Sequence, residues 1–459
     1  MLFFTGRQLE SIIFLAPLLP LLIAIRSTPG RAFLLAYLPS LLLLPDAYHT
    51  TLAGIPKVSF NQIIGMTVLA FVLDRYRRQW KISVMDLLVF ALVAVMGTSE
   101  YMAAGYSEAQ NLTFGLIAGC IAPYLIARIV IPAENLHVAA ARQFVILIFA
   151  VSIISVYEFK MGLDLFFELL RPVFPGQGTG WVVTFRYGFA RIAGPFAHCI
   201  LAGVIFGVAF RLQRWLEWGG NWESRFKKFP NSPLSKARSI TLMVTFACIM
   251  TMARGPWVGG IIGGLMMLIG RSKKRNAMLT TVLLLAGLVL PPAYIGFNSY
   301  MDAKPGIKMS ESQQTALYRK ELMEKYSDIV IEHLKLGWGR TLWPKVQGMP
   351  SIDNYFLLLT LMHGAIATGI FLSLFLWSGP RLLYMGMHEP IGTNSLSFTF
   401  AGILLMVLIS LATVYLGENL TPVLFLIFGW AEAHLQQPFQ NNGATPLIVR
   451  TGPSFRVIR

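Results

Sequence analysis

From about residue 8 to residue 435 the chain is a succession of apolar blocks, each near the 20 residues that a helix needs to cross a bilayer. The blocks fall at 8–25, 32–48, 58–74, 83–103, 111–130, 138–159, 191–211, 238–252, 256–270, 276–297, 352–377, 395–415 and 419–435. Of its 459 residues 55% are hydrophobic and 13% charged, where soluble domains carry about a quarter charged residues. No water-soluble fold of this size buries that much apolar surface, whereas lipid accepts it. The expected fold is an all-α polytopic integral membrane protein with about 12–13 transmembrane helices, forming one transmembrane domain over 1–459. The lower count applies if Pro17, Pro20 and Pro39 break the first two blocks. The first block lacks a basic leader and a small-residue cleavage site, so it reads as a retained span.

The net charge of +16 does not point to nucleic acid, because the basic residues sit in short breaks between apolar blocks. Arg75, Arg77, Arg78 and Lys81 form one cluster beside Asp74. A second cluster holds Arg211, Arg214, Arg225, Lys227, Lys228, Lys236 and Arg238 against Glu217 and Glu223. Arg271, Lys273, Lys274 and Arg275 form a third with no acid. The proposed helices put all three on one side, which the positive-inside rule makes cytoplasmic. The tail at 436–459 is expected on that side too. The other side, periplasmic on this reading, then carries a shorter loop at 160–190, a tight turn at Ala253-Arg254-Gly255-Pro256-Trp257, and a long loop at 298–351. The long loop holds eight basic and six acidic residues, a near balance that suits translocation. Within it, Leu322, Tyr326, Ile329, Val330 and Leu334 recur at helical spacing, which predicts an amphipathic helix over 311–336 lying on the membrane like a lid. Gly162 to Leu170 reads as a shorter interfacial helix, followed by an irregular loop through Pro172, Pro175, Gly176, Gly178 and Gly180.

Cys120, Cys199 and Cys248 all lie in apolar stretches without metal-ligand spacing and read as small core residues. More informative are the polar residues at the loop-bearing ends of the helices. Arg191 precedes Gly194-Pro195-Phe196-Ala197-His198 at the start of a block. Its guanidinium either anchors the helix among headgroups or, with free backbone N–H groups of a helix start beside it, meets a phosphate. Arg254 stands in a second Gly-Pro helix start on the same side. Trp257 after it suits an ordinary interface aromatic. Asp353 opens the block at 352–377, followed by Asn354, Tyr355 and, further along, His363-Gly364. On position alone, Asp353 reads as a helix cap.

Taken in order, Arg191 with Gly194–His198, Ala253–Gly259, Arg319, Gly337-Trp338-Gly339 and Asp353-Asn354-Tyr355 resemble the O-antigen ligase and O-antigen polymerase superfamily of bacterial envelope enzymes. The resemblance covers most of the second half of the chain. Ligases of this group have a histidine followed by Asn or Ser where Asp353-Asn354 stands here. An aspartate is more like the group's exopolysaccharide polymerases. The resemblance implies a bundle of the GT-C-like glycosyltransferase type in the inner membrane, acting at the periplasmic face on oligosaccharides carried by undecaprenyl diphosphate. Donor and acceptor would both be lipid-linked glycans, with membrane lipids and other polysaccharide assembly proteins as partners. It calls for no cofactor, metal or nucleotide. Arg191, Arg254 and Arg319 are then expected at the donor diphosphate, since guanidinium groups stay charged and bind phosphate through paired hydrogen bonds. Asp353 is expected to serve the acceptor hydroxyl, with His198, Tyr355 and His363 in support. Three other readings stand beside the polymerase: a ligase passing glycan to a lipid A core, a flippase for the same lipid-linked glycans, and a non-catalytic scaffold. Transporters place their charges near the bilayer midplane, and here they gather at the rim.

Overall fold

The computed structural model describes residues 10–50, 56–178, 183–226, 233–301, 311–349, 351–391 and 394–436. Gly180, Lys227, Lys228, residues 302–310 of the long loop and the tail from 437 lie outside the described residues. Helix accounts for 74% of the molecule, and among the described residues the strands form two short hairpins. The chain is an all-α polytopic membrane protein.

The helices are α1 (Ser11–Arg26), α2 (Pro29–Leu43), α3 (Phe60–Tyr76), α4 (Val84–Ala104), α5 (Tyr106–Ala133), α6 (His137–Met161), α7 (Leu165–Leu170), α8 (Cys199–Trp218), α9 (Lys236–Met250), α10 (Arg254–Arg271), α11 (Arg275–Met301), α12 (Glu311–Glu332), α13 (Tyr355–His388), α14 (Leu396–Leu411) and α15 (Leu420–Leu435). Apart from α7 and α12, each overlaps one of the expected apolar blocks. Helices α4, α5, α6, α8 and α13 are long and apolar enough to cross a bilayer by length and composition.

Local sequence sets several boundaries. Ser83 and Asp86 form a reciprocal capping box at the start of α4. Thr28 caps α2, with Pro29 in its first turn. Helix α13 runs to His388 with Pro380 inside it, well beyond the expected end at 377. Helix α14 stops at Leu411 rather than 415, so residues 412–419 form a connecting loop.

Side-chain links define the two ends of the bundle. At one end Arg128 donates to the Lys81 carbonyl at 3.3 Å, and Arg381 pairs with Glu432 at 2.7 Å. Arg275 donates to the carbonyls of Gly386 and Glu389, and Arg271 lies over the Trp218 ring at 4.3 Å. Lys236 pairs with Glu223. The three basic clusters, as far as they are described, therefore share this basic end. The turn at 250–257, the hairpin at 185–190, α12 and the start of α13 lie at the opposite end. Internal geometry thus agrees with the sidedness read from the charges.

The closest helix pair is α10 with α14. A Cβ on Gly259 would stand 2.7 Å from the Met406 carbonyl oxygen, and Gly263 and Gly402 meet backbone to backbone. Small residues four apart let the two backbones touch, the usual way that helices gain dispersion contact in lipid.

The predicted lid helix is present as α12, four residues shorter at its end than expected. Its apolar stripe does not face lipid. Leu322 and Tyr326 are buried against Met349, Ile352, Leu357 and Leu361, so the chain's own loop and the start of α13 cover it. Leu334 falls beyond the helix and is exposed.

Candidate active site

The site is built on the turn between α9 and α10. Met252 adopts a positive φ of 48° there, and Arg254 opens α10 as an exposed residue. Arg191 reaches this turn from the segment before α8. Its Nε donates to the Thr251 carbonyl at 3.1 Å and its Nη2 approaches the Met252 carbonyl at 3.5 Å. Arg186 donates to the same Met252 carbonyl at 3.0 Å. Sequence reasoning missed Arg186. It sits in an antiparallel hairpin, β1 (Phe185–Arg186) with β2 (Phe189–Ala190). Tyr187 and Gly188 at the tip both have positive φ, the backbone a two-residue hairpin turn requires. A Tyr-Gly pair flanked by Phe-Arg and Phe-Ala was the available signal.

The expected helix start at Arg191 is not there. Helix α8 begins at Cys199, capped by the His198 side chain, which accepts the Ile200 N–H at 3.1 Å. Nor are the N–H groups after Arg191 free for phosphate. Those of Ala193 and Gly194 donate to the buried carboxylate of Glu158 at 2.7 and 2.9 Å. That carboxylate, from α6, outcompetes helix formation at 193–194 and holds the segment extended, with Gly194 at φ 57°.

Arg319 comes from α12. Its Nη2 lies 3.5 Å from the Thr413 carbonyl, and Thr413 packs so tightly on Gly255 that a Cβ there would strike its Oγ1. The loop at 412–419 thus places Arg319 beside the Arg254 turn. The Nε of Arg319 is buried without a hydrogen-bond partner. Burial draws Arg319 below the usual guanidinium range, and Asp353 opposes that shift. Asp353 accepts a hydrogen bond from Ser351 Oγ at 2.9 Å. It is not the cap of α13. Asn354 is, accepting the N–H groups of Phe356 and Leu357 at 3.0 and 3.2 Å. The Asp353 carboxylate also acts on His198, whose pKa is lowered by burial first and by Arg191 second, with Asp353 pulling the other way. A neutral His198 accepting at Nδ1 carries its proton on Nε2. Arg191, Arg254, Arg319, His198 and Asp353 therefore converge on one region.

Tyr355 and His363 do not join it in the same way. The Tyr355 ring packs on Phe371 with centroids 5.1 Å apart. His363 is buried beside Ser99, with Nδ1 3.0 Å from its Oγ, about 12 Å along α13 from Tyr355 by the helical rise. It stands at a break in α13 where Gly364 takes φ 79°. Trp338 and Gly339 donate their N–H groups to the Leu361 and Met362 carbonyls freed by the break, at 2.9 and 2.8 Å. The Gly337-Trp338-Gly339 motif is thus a clasp between the long loop and α13.

The 412–419 loop, of which the sequence reading left only 416–418 between spans, also brings residues near the site. Tyr415 lies in the field of Glu418 and Asp353, and burial raises its pKa. Asn419 accepts the Ala197 N–H at 3.1 Å. Glu418 is raised by burial first and by Asp46 second, with Arg340 and Lys57 opposing.

Beside the arginines a groove of about 240 Å³ opens among Phe159, Phe246, Ile249 and Trp257, with Arg186 and Arg254 at its polar rim. Several of its apolar neighbours are exposed, among them Phe246 at 45% and Ile249 at 52%, so the groove continues onto the lipid-facing surface. Cations over an apolar trough suit a ligand with an anionic head and a hydrocarbon tail.

Residues 239–364 match the family model described as O-antigen ligase, a match that supports the O-antigen ligase and polymerase superfamily for this chain. The matched stretch includes Arg254, Arg319, Asp353, Tyr355 and His363. No curated protein matches the chain.

Proposed function

With an O-antigen ligase match over the stretch that carries Arg254, Arg319 and Asp353, we propose that this protein is a membrane glycosyltransferase that polymerises oligosaccharide repeat units carried on undecaprenyl diphosphate. The product would be an exopolysaccharide or O-antigen chain, and the site would face the periplasm across the inner membrane. One observation carries the reading: Arg186 and Arg191 from one hairpin meet Arg254 at the α9–α10 turn, beside an apolar groove.

In this mechanism the polyprenyl chain of the donor lies in the groove and its diphosphate meets Arg186, Arg191 and Arg254. The acceptor hydroxyl attacks the sugar C1. A new C1–O bond forms as the bond from C1 to the diphosphate oxygen breaks, and negative charge develops on the leaving diphosphate. Fixed guanidinium groups stabilise that charge, each contributing on the order of 10²–10³ in rate. Asp353 orients the acceptor hydroxyl and takes its proton, and Arg319 ties the lid helix to the same site.

Purified protein given a lipid-linked repeat unit, with no lipid A core present, should yield longer lipid-linked glycans. Product that appears only when lipid A core is added would make the protein a ligase. Movement of the repeat unit across vesicles without any longer product would make it a flippase. Orientation is tested separately by cysteine labelling. Lys320→Cys should react from the periplasmic side and Lys273→Cys from the cytoplasmic side, and the reverse pattern overturns the periplasmic site.

A further inference from the structure

A second pocket lies at the basic end of the bundle, far from the arginine site. It has a volume of about 280 Å³ and opens between the α3–α4 connection, the end of α5 and the end of α15. Its polar wall is Gln79, Trp80, Lys81, Arg128 and Gln436, and its apolar wall is Ile129, Pro132, Ala133 and Ala433. The volume equals that of about nine liquid waters, enough for a small polar headgroup.

Arg128 is the telling residue. It is only 6% exposed, yet it makes one hydrogen bond among the described residues, from Nη2 to the Lys81 carbonyl. Its Nε has no hydrogen-bond acceptor. The carboxylate nearest to it, Asp86, is 3.6 Å away and already accepts from the Ser83 N–H, the Trp80 Nε1 and the Tyr124 hydroxyl. Asp86 thus balances the charge of Arg128 as an ion pair but takes no hydrogen bond from it, and the Nε–H stays buried without an acceptor. A buried donor kept this way is costly unless an acceptor arrives. Lys81 stands on the same wall, and Arg77 and Arg78 are exposed close by in sequence. The pocket also sits where the apolar helices α5 and α15 end, and its apolar wall suits the first methylenes of an acyl chain.

We propose that this pocket holds the phosphate of an anionic phospholipid, with Arg128 and Lys81 as its partners. The site is independent of the catalytic reading. Bound lipid would bridge α5 and α15 to the α3–α4 connection and stabilise the folded bundle by mass action.

The test uses purified full-length protein in phosphatidylcholine nanodiscs, titrated with phosphatidylglycerol. Native mass spectrometry counts retained lipids and a thermal scan reads stability. Wild-type protein should retain one tightly held phosphatidylglycerol and gain stability. Lys81→Gln should bind it about tenfold to a hundredfold more weakly, the scale of one charge-assisted hydrogen bond, and the cavity-filling Ala133→Phe should also bind it at least about tenfold more weakly. Arg128→Gln alone leaves Asp86 buried and unpaired, so the neutral pair Arg128→Gln with Asp86→Asn is the informative variant, and it should lose the bound lipid. Soluble glycerol phosphate or inorganic phosphate should give no comparable stabilisation. If either stabilises as well as the lipid does, the site takes free phosphate and the lipid assignment falls. Retention of the lipid by the variants at wild-type affinity overturns the pocket itself.

Discussion

The Nε of Arg191 lies 3.1 Å from the carbonyl oxygen of Thr251, so the arginine before α8 is fastened to the turn that presents Arg254. The two residues are separated by all of α8, a basic connection and α9 in sequence, yet this hydrogen bond ties one to the turn of the other. On the proposed reading the diphosphate site is in this sense preassembled, and little reorganisation is needed when charge develops.

Arg191→Lys and Arg254→Lys should each lower polymer formation on the order of 10²–10³, because lysine keeps the charge and loses the paired hydrogen bonds. Arg191→Lys should also lower the thermal midpoint, since it releases the Thr251 carbonyl. A lipid-linked polymerisation assay with thermal scans of the same preparations checks both.

Asp353→Asn should leave the fold intact and remove most activity. Asn354, not Asp353, caps α13, so the helix start survives the change. Polymer yield at matched amounts of monodisperse protein is the measurement. Near-normal yield would remove Asp353 from the mechanism and move attention to His198 and Glu418.

Glu158→Gln should destabilise the protein by about 2 kcal/mol, the scale of leaving a buried N–H without its acceptor. The carboxylate receives two N–H groups, from Ala193 and Gly194. An amide offers one acceptor and turns a donor toward the other N–H. Activity should fall with it because the segment that carries Arg191 is no longer held. Chemical or thermal unfolding in detergent reads the first effect, and the polymerisation assay reads the second.

Asp164 supplies a pH dependence. Burial raises its pKa from the ordinary 3.8 to about 7, against the hydrogen bonds from Phe166 and Phe167. The folded state therefore holds the proton more tightly than the unfolded one. Stability from this residue is fully present below about pH 4 and is lost as pH rises through about 7, at roughly 1 kcal/mol per pH unit. Asp164→Asn keeps the cap on Phe166 and should flatten that slope. Unfolding midpoints of both proteins between pH 4 and 8 test it, and parallel curves would contradict it.

The spans were legible because hydrophobicity in a bilayer is decided residue by residue. The block at 138–159 became α6 at His137–Met161 with no tertiary help needed. The start of α8 was illegible for a specific reason. Glu158 captures two N–H groups from a segment more than thirty residues later, and nothing local in Gly194-Pro195 announces that competitor. The loop at 412–419 was hidden because Ala412, Val414 and Leu416 continue the apolar pattern of α14, leaving Glu418 as its one charge. Arg191, Arg254 and Asp353 were legible as polar residues at block ends, and Arg319, inside the long loop, only through the family resemblance. Arg186 was not, since one arginine among aromatic loop residues carries no pattern until the hairpin closes. His363 was legible as a polar residue in a span, and only the structure ties it to Ser99.

The Trp338–Leu361 and Gly339–Met362 hydrogen bonds make a ring of everything between them. The chain leaves the ring's closure point, runs past Ser351 and Asp353, and returns down the first two turns of α13. Its neck cannot widen, because a Cβ on Gly337 would meet the Met362 carbonyl carbon at 2.5 Å. Extra residues inserted between 340 and 352 would enlarge the ring while leaving this clasp in place. Length variation in this stretch is then a direct means of setting how bulky a glycan can approach, with no change to the membrane-embedded frame beneath.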